Sequence, residues 1–181
     1  MESLKGRLLV AGPSLWGTNL RRTVVLVAHH DESGAMGVIL NRPSGDTVAD
    51  AVPDLTWMAS FEDPVYLGGP VQPDAVVILG EFTRPEHAGL LAFGSVGFLI
   101  GHFHADDAQS LRRVRLFAGF AVWGPGELEQ QVNGASAWST EPATPEDVFN
   151  SQPEVLWERV VERMGGELAF LRATPSDPVL N

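Results

Sequence analysis

The chain has 181 residues, 44% of them hydrophobic, and 23 acidic residues against 12 basic, a formal net charge of −11. That balance argues against non-specific nucleic-acid binding, which needs lysine and arginine to replace counterions, and against a surface for anionic lipid. There is no cysteine, which excludes a disulfide framework and a thiolate metal site. The length suits one domain over residues 1–181, with a loosely held tail from about residue 173. The opening MESLKGRLLVAG lacks the apolar stretch of a signal peptide, and no uncharged apolar run approaches the ~18 residues of a membrane span. A cytoplasmic protein is expected.

In chain order, Arg7 to Ala11 reads as a short apolar strand ended by Gly12-Pro13. Arg22 to Pro43 follows as a hairpin: two apolar runs flank the polar loop Asp31 to Gly34. Thr23 to Ala28 is apolar at every position but the first, a pattern of burial on both faces. Thr47 and Asp50 have capping-box spacing for a short helix that Pro53 stops. Residues 54–64 read as irregular, with Trp57 and Phe61 exposed. Strands are expected at Val65 to Leu67, running into Gly68-Gly69-Pro70, at Ala75 to Leu79, and at Val96 to Ile100. A brief helix or turn is expected at Asp106 to Ser110. Arg112 to Trp123 starts as alternating charged and apolar residues, as an edge or half-buried strand does. Gly124-Pro125 opens a helix holding Leu128 and Val132. Ala137 to Ser139 is a short strand, and Thr144-Pro145-Glu146-Asp147 a capped turn. Ser151 with Glu154 reads as another capping box before the best helix, Pro153 to Met164, with Leu156, Val160 and Met164 in one stripe. The elements do not alternate as βαβ units, so the expectation is an α+β fold: a mostly antiparallel sheet with peripheral helices.

The hairpin supplies the sharpest functional candidate. With the loop at Asp31 to Gly34, facing residues have numbers summing to about 65, which sets Thr23 beside Arg42 and Val24 beside Asn41. Arg22, Thr23, Asn41 and Arg42 then gather at the open end, as a site for a carboxylate or phosphate or as an internal clamp. His29, His30 and Asp31 lie at the other end, about 20 Å away for six residues of strand. The two groups are not halves of one active site.

Three long segments carry a resemblance. RTVVLVAHHDESGAMGVILNRPS, VYLGGPVQPD and FAGFAVWGPGELEQQV look like the signatures of the YqgE/AlgH family, also called UPF0301, and the tail GGELAFLRATPSDPVLN is similar to its actinobacterial members. The resemblance implies one α/β domain whose strands bend into a partly closed, barrel-like sheet, in a cytosolic bacterial protein. It implies no particular chemistry, though one branch is linked to transcriptional control of alginate production. Departures from the family pattern include His29 where glutamate is common, and Phe120 and Val122 within the Gly119 to Trp123 run.

The remaining candidates each have a structural alternative. Gly68 and Gly69 bring backbone amides close to a ligand or shape a strand-end turn. His30 with Asp31 is a base and its orienting acid, or a turn histidine. His102 and His104, with Asp106 and Asp107, have strand spacing for a metal. Trp123 precedes a helix N-terminus that attracts an anion or is a structural junction. No catalytic residue, metal or cofactor is assigned. The preferred expectation is a non-enzymatic regulatory protein holding a small anionic ligand or a partner's carboxylate through Arg22, Thr23, Asn41, Arg42, Gly68, Gly69 and Trp123. The alternatives are a hydrolase or transferase using His30 or a His102/His104 metal, and a protein-binding module using Trp57 and Phe61.

Overall fold

The fold was determined as a computed structural model that describes residues 2–60, 62–101, 109–133 and 137–166. The strands are β1 (Arg7–Ala11), β2 (Val24–Asp31), β3 (Gly34–Ile39), β4 (Pro43–Thr47), β5 (Pro64–Leu67), β6 (Val71–Phe82), β7 (Leu90–Phe93), β8 (Val96–Leu99), β9 (Leu111–Trp123) and β10 (Trp138–Pro142). The α-helices are α1 (Val48–Ala51), α2 (Glu127–Asn133), α3 (Pro145–Val148) and α4 (Leu156–Met164). This is the expected α+β architecture. The strands run β10-β1-β2-β3-β9-β6-β8-β7, with β4 and β5 attached beside β9, and all pairs are antiparallel except β5 with β9. The sheet bends so that β7 comes back to the chain before β1, where a Cβ on Gly6 would sit 2.9 Å from the Ala92 carbonyl. It nevertheless stays open, with β10 and β7 as its ends.

The apolar run in β2 has a simple cause. Val24, Leu26 and Ala28 face one core with Leu8, Phe117 and the α4 residues Leu156, Trp157, Val160 and Val161. Val25 and Val27 face a second core with Leu9, Trp123, Leu128 and Trp138. A strand covered on both sides has no polar face to show. A third cluster, with Val48, Val65, Ile78 and Leu116, lies under α1 and β5. Burying the four α4 side chains contributes about 1.5–3 kcal/mol each, and the Trp157 indole N–H is satisfied by the Ala11 carbonyl at 3.0 Å.

The hairpin register departs from a uniform sum of 65. Near the loop it holds, with His30 opposite Ala35, but past a bulge between Val27 and His29 the sum becomes 64, with Val25 opposite Ile39. The extra residue in β2 shifts the open end by one position. Asn41 compensates with its side chain. It accepts from the Val24 N–H at 2.9 Å and donates to the Arg22 carbonyl at 2.8 Å, so the strands stay joined where the ladder ends.

Other local expectations fare unevenly. Both Thr-Asp capping boxes form, Thr47 with Asp50 and Thr144 with Asp147. The Ser151–Glu154 box does not. The α4 entry is a 3-10 turn over Pro153–Val155 without a side-chain cap, and Asn150 Oδ1 instead accepts from the Gln152 N–H at 2.6 Å. Pro43–Thr47 and Leu90–Phe93 are strands that periodicity did not reveal. Phe61, His102, His104, Asp106, Asp107 and the tail from residue 173 lie outside the described residues.

Asn41 is 4% exposed. Asn41→Ala should remove two hydrogen bonds from buried backbone groups and lower the unfolding free energy by about 2–4 kcal/mol, read as a reduced midpoint in guanidinium unfolding. A variant within about 0.5 kcal/mol of wild type would show that the end of the hairpin is held by something else.

Candidate functional site

The structure brings Arg22, Thr23, Asn41 and Arg42 together at the open end of the hairpin, but occupies most of their donors internally. Arg22 stands at φ 52°, the left-handed region, and its guanidinium pairs with Glu158 at 2.8 Å and lies 5.2 Å from the Trp157 ring. Arg42 donates to the carbonyls of Arg21 and Asn41 and, at 3.0 Å, to the buried Thr23 hydroxyl. Burial lowers the Arg42 pKa below the ordinary arginine value, and none of the described carboxylates pairs with it. The two arginines therefore serve different partners.

Gly68 and Gly69 lie beside this end, where the Leu67 N–H donates to the Arg42 carbonyl at 2.7 Å. Their close approach is to another strand. A Cβ on Gly68 would stand 2.2 Å from the Gly119 carbonyl, and the Gly68 N–H donates to the Ala118 carbonyl at 2.8 Å. Trp123 is at the opposite end of the hairpin, opposite Ala35 in β3, with its indole N–H 3.2 Å from Gln131 Oε1. It is not a neighbour of the arginine group.

The histidines separate as well. His29, not His30, meets Asp31, at 2.8 Å; Asp31 is a turn carboxylate whose pKa is lowered chiefly by hydrogen bonds from Ser33 and secondarily by His29. His30 is buried. Its Nδ1 accepts from the Leu4 N–H at 2.9 Å, so that nitrogen carries no proton, and Nε2 faces Glu129 Oε1 at 3.3 Å. Among the described residues no cluster of three or more His, Cys, Asp or Glu is arranged for a metal, and no helix is long and apolar enough to cross a membrane.

A different place has the features of a ligand site. A cavity of about 520 Å³ opens between the α1–β5 segment, the first half of β9 and the Phe149–Ser151 loop. β9 is the reason it exists. β6 covers one edge of β9, whereas on the other edge β5 reaches only Phe117 and Ala118, leaving Leu111 to Leu116 as a wall.

Two arginines on this stretch point to the same side of the strand. Arg113 is saturated: its directly facing neighbour in β6 is Glu81, at 2.8 Å, and Glu146 lies at 3.4 Å. Those carboxylates raise its pKa, the Glu81 hydrogen bond most. Arg115 faces Leu79 instead. It is 9% exposed, stacks 4.3 Å over the Tyr66 ring, donates from Nη2 to the Asn150 carbonyl, and has no hydrogen-bond partner at Nη1. Its burial pushes its pKa down, against a smaller opposing pull from Tyr66 and Asp63. Asn150, 8% exposed, also leaves its Nδ2 without a partner.

The alternation of Arg112 to Leu116 reads as an edge strand with solvated charges, so neither Arg115 nor Asn150 is a candidate from pattern alone. The available signal was the change from alternating to fully apolar at Leu116-Phe117, which marks Arg115 as the last charge before the core.

Comparison with known proteins gives consistent relatives. The family model described as AlgH-like, DUF179, matches residues 8–169. A UPF0301 protein of Streptomyces coelicolor is 38% identical over 100% of this chain and 97% of its own length, and one of Thermobifida fusca is 38% identical over 99% and 96%. Among solved structures, the crystal structure of a Corynebacterium diphtheriae protein superposes with TM-score 0.82 at 28% identity, covering 94% of this chain and 91% of that one. The solution structure of the Pseudomonas aeruginosa AlgH protein superposes with TM-score 0.72 at 30% identity, covering 96% and 95%.

Tyr66 is the chain's one tyrosine, and burial raises its phenol pKa above 10.0 despite the opposing charge of Arg115. Its folded pKa lies above the unfolded value, so its contribution to stability is complete below that unfolded value and is lost as pH rises through the folded one. Absorbance titration at the phenolate band should show ionisation above pH 10 in the folded protein. A midpoint at or below 10 would mean that the ring is solvated and the cavity wall is not as described.

Proposed function

This chain belongs to the AlgH-like family, UPF0301, and we propose that it works by binding a small anionic ligand and not by converting one. One observation carries this reading. In a chain with 23 acidic residues, Arg115 is buried with no carboxylate partner among the described residues, while Arg113, two positions away on the same side of β9, has two. Buried cations are ordinarily paired, because desolvating an unpaired charge is costly. An anion from outside supplies the missing partner.

Half-buried Arg42 also lacks a carboxylate partner among the described residues, and Thr23, Asn41 and Gly68 stand around it. A ligand at that end has to displace the Arg21 and Asn41 carbonyls, so the hairpin end serves chiefly as a clamp and only secondarily as a binding surface. The catalytic alternative through His30 is disfavoured, because its side chain is fully buried, with Nδ1 taken by the Leu4 N–H and Nε2 facing Glu129 at 3.3 Å. A protein-contact reading keeps one support: Trp57, Leu67 and Val76 are exposed, and the last two flank Ala118 on adjacent strands.

The test is thermal unfolding at fixed ionic strength against acetate, benzoate, sulfate and phosphate. A ligand at a hundred times its dissociation constant stabilises by about 2.7 kcal/mol, a shift of several degrees. At least one anion should raise the midpoint saturably, and Arg42→Ala should retain that response. No response to any of the four would end the binding reading. A response lost in Arg42→Ala but kept in Arg115→Leu would return the site to the end of the hairpin.

A further inference from the structure

We propose that the cavity beside Arg115 is a binding site for an organic monocarboxylate: one carboxylate group on an apolar body. This rests on the binding reading above and adds its address and its ligand class. The donors decide the head group. Among the described residues that line the cavity, Arg115 Nη1 and Asn150 Nδ2 are the buried side-chain polar atoms without a partner, and both residues are more than nine-tenths buried. Each carries N–H groups with nothing to donate to, which is costly inside a protein unless a ligand accepts them. Nη2 is already held by the Asn150 carbonyl, and the Tyr66 ring covers one face of the guanidinium. The unserved direction is in the guanidinium plane, at the Nη1 edge, which is buried and has no partner among the described residues. That is the direction from which a planar carboxylate offers an oxygen to an arginine, with the second oxygen free for the Asn150 amide.

Charge narrows the choice further. Arg113 is neutralised by Glu81 and Glu146 and Arg112 is exposed to solvent, so Arg115 is the buried cation on the cavity wall without an ion pair among the described residues, and Asp63 stands on the opposite wall. One unmatched positive charge suits one negative charge. A phosphate or sulfate dianion brings a second charge towards Asp63 and more acceptor oxygens than the two donors serve. The rest of the wall determines the body of the ligand. Val48, Met58, Leu116 and Phe149 line it, and about 520 Å³ is room for a ring or a short alkyl chain.

Arg115 and Asn150 are here binding residues, and their role separates from a structural one by a substitution that supplies the anion internally. Asn150→Asp keeps the oxygen that accepts from the Gln152 N–H and places a carboxylate where the ligand's would be. The probes are benzoate and cyclohexanecarboxylate, with benzyl alcohol and inorganic phosphate as controls, measured by calorimetry and by the Tyr66 absorbance titration.

Both carboxylates should bind saturably to the wild type and raise the Tyr66 pKa further, as an anion beside a phenol must. Benzyl alcohol should bind at least about tenfold more weakly, the worth of a charge-assisted hydrogen bond, and phosphate should not compete. Arg115→Leu and Asn150→Asp should each abolish binding. Asn150→Asp should also melt at a higher temperature than wild type, because it pairs Arg115 from within. Should Arg115→Leu fail to fold, Asn150→Asp carries the test alone.

Carboxylate binding that survives in Asn150→Asp overturns the address and leaves the binding reading intact. Saturable phosphate binding that needs Arg115, with none for the carboxylates, overturns the ligand class. A lower melting temperature for Asn150→Asp overturns the premise that Arg115 lacks a counter-charge. No anion binding to the wild type at all removes both this inference and the reading beneath it.

Discussion

The contact between Gly68 and Gly119 fixes the geometry on which the rest of this molecule depends. At that point two backbones touch: a Cβ on Gly68 would meet the Gly119 carbonyl at 2.2 Å, and one on Gly119 (φ 69°) would meet the Gly69 carbonyl at 2.6 Å. No side chain fits between them, and Gly119 holds a conformation that favours glycine. The contact sets where β5 joins β9, with Tyr66 opposite Phe117 and Leu67 opposite Ala118. Tyr66 then lies under Arg115, and β9 runs on, unpaired among the described residues, along one edge from Leu116 back to Leu111. The cavity follows from that register: a strand of 13 residues lies beside a neighbour of four.

Charge matching shows how unusual the Arg115 environment is in this chain. With almost twice as many acids as bases, a nearby carboxylate is easy to find, and Arg22, Arg113 and Arg163 each have one. Arg163 has two, joining Asp147 at 2.9 Å and Glu141 at 3.3 Å, and so ties α4 to the α3 cap and to β10. Arg115 is the most buried of these arginines and forms an ion pair with none of the described carboxylates, Asp63 acting on it only at a distance. The cross-strand partner explains the difference within β9: Arg113 faces Glu81 and Arg115 faces Leu79. The Tyr66 ring offers partial compensation through its π face, but it satisfies no N–H. Structural demand alone does not account for a guanidinium buried there, since a leucine or methionine on that side would pack against Leu79 and Phe117 at lower cost.

Much of the fold was legible because it follows from local rules. The β2–β3 hairpin announced itself through two apolar runs and a polar loop, and two Thr-Asp boxes through spacing alone. The third box failed for a reason outside its own four residues: Asn150, one position earlier, captured the Gln152 N–H. The bulge at Ala28 was hidden because an extra residue in a uniformly apolar strand leaves no compositional mark. β4, Pro43–Thr47, was hidden because it is polar, exposed at most positions and held by β5. The arginine group at the hairpin's open end was correctly gathered by pairing, yet pairing says nothing about which partners occupy its donors. Arg115 and Asn150 were hidden for the complementary reason. They are 35 positions apart, one in a strand that reads as solvated and one in a loop, and only the packing of the α3–α4 connection against β9 joins them.

The two arginine sites differ in what a ligand must displace, and that difference decides between them. At the hairpin's open end, an anion reaching Arg42 has to replace two backbone carbonyls and the Thr23 hydroxyl, and those carbonyls are then left without their cation. The exchange returns little net free energy, because one set of charge-assisted hydrogen bonds replaces another. In the cavity no hydrogen bond to a described residue has to be given up at Nη1 or Nδ2. The Arg115 Nη1 and Asn150 Nδ2 donors are already oriented, one by the stack on Tyr66 and the bond to the Asn150 carbonyl, the other by the bond from Gln152. Their order is established in the folding of the chain and not at the moment of binding, and this preorganisation lets two donors and one charge hold a small acid.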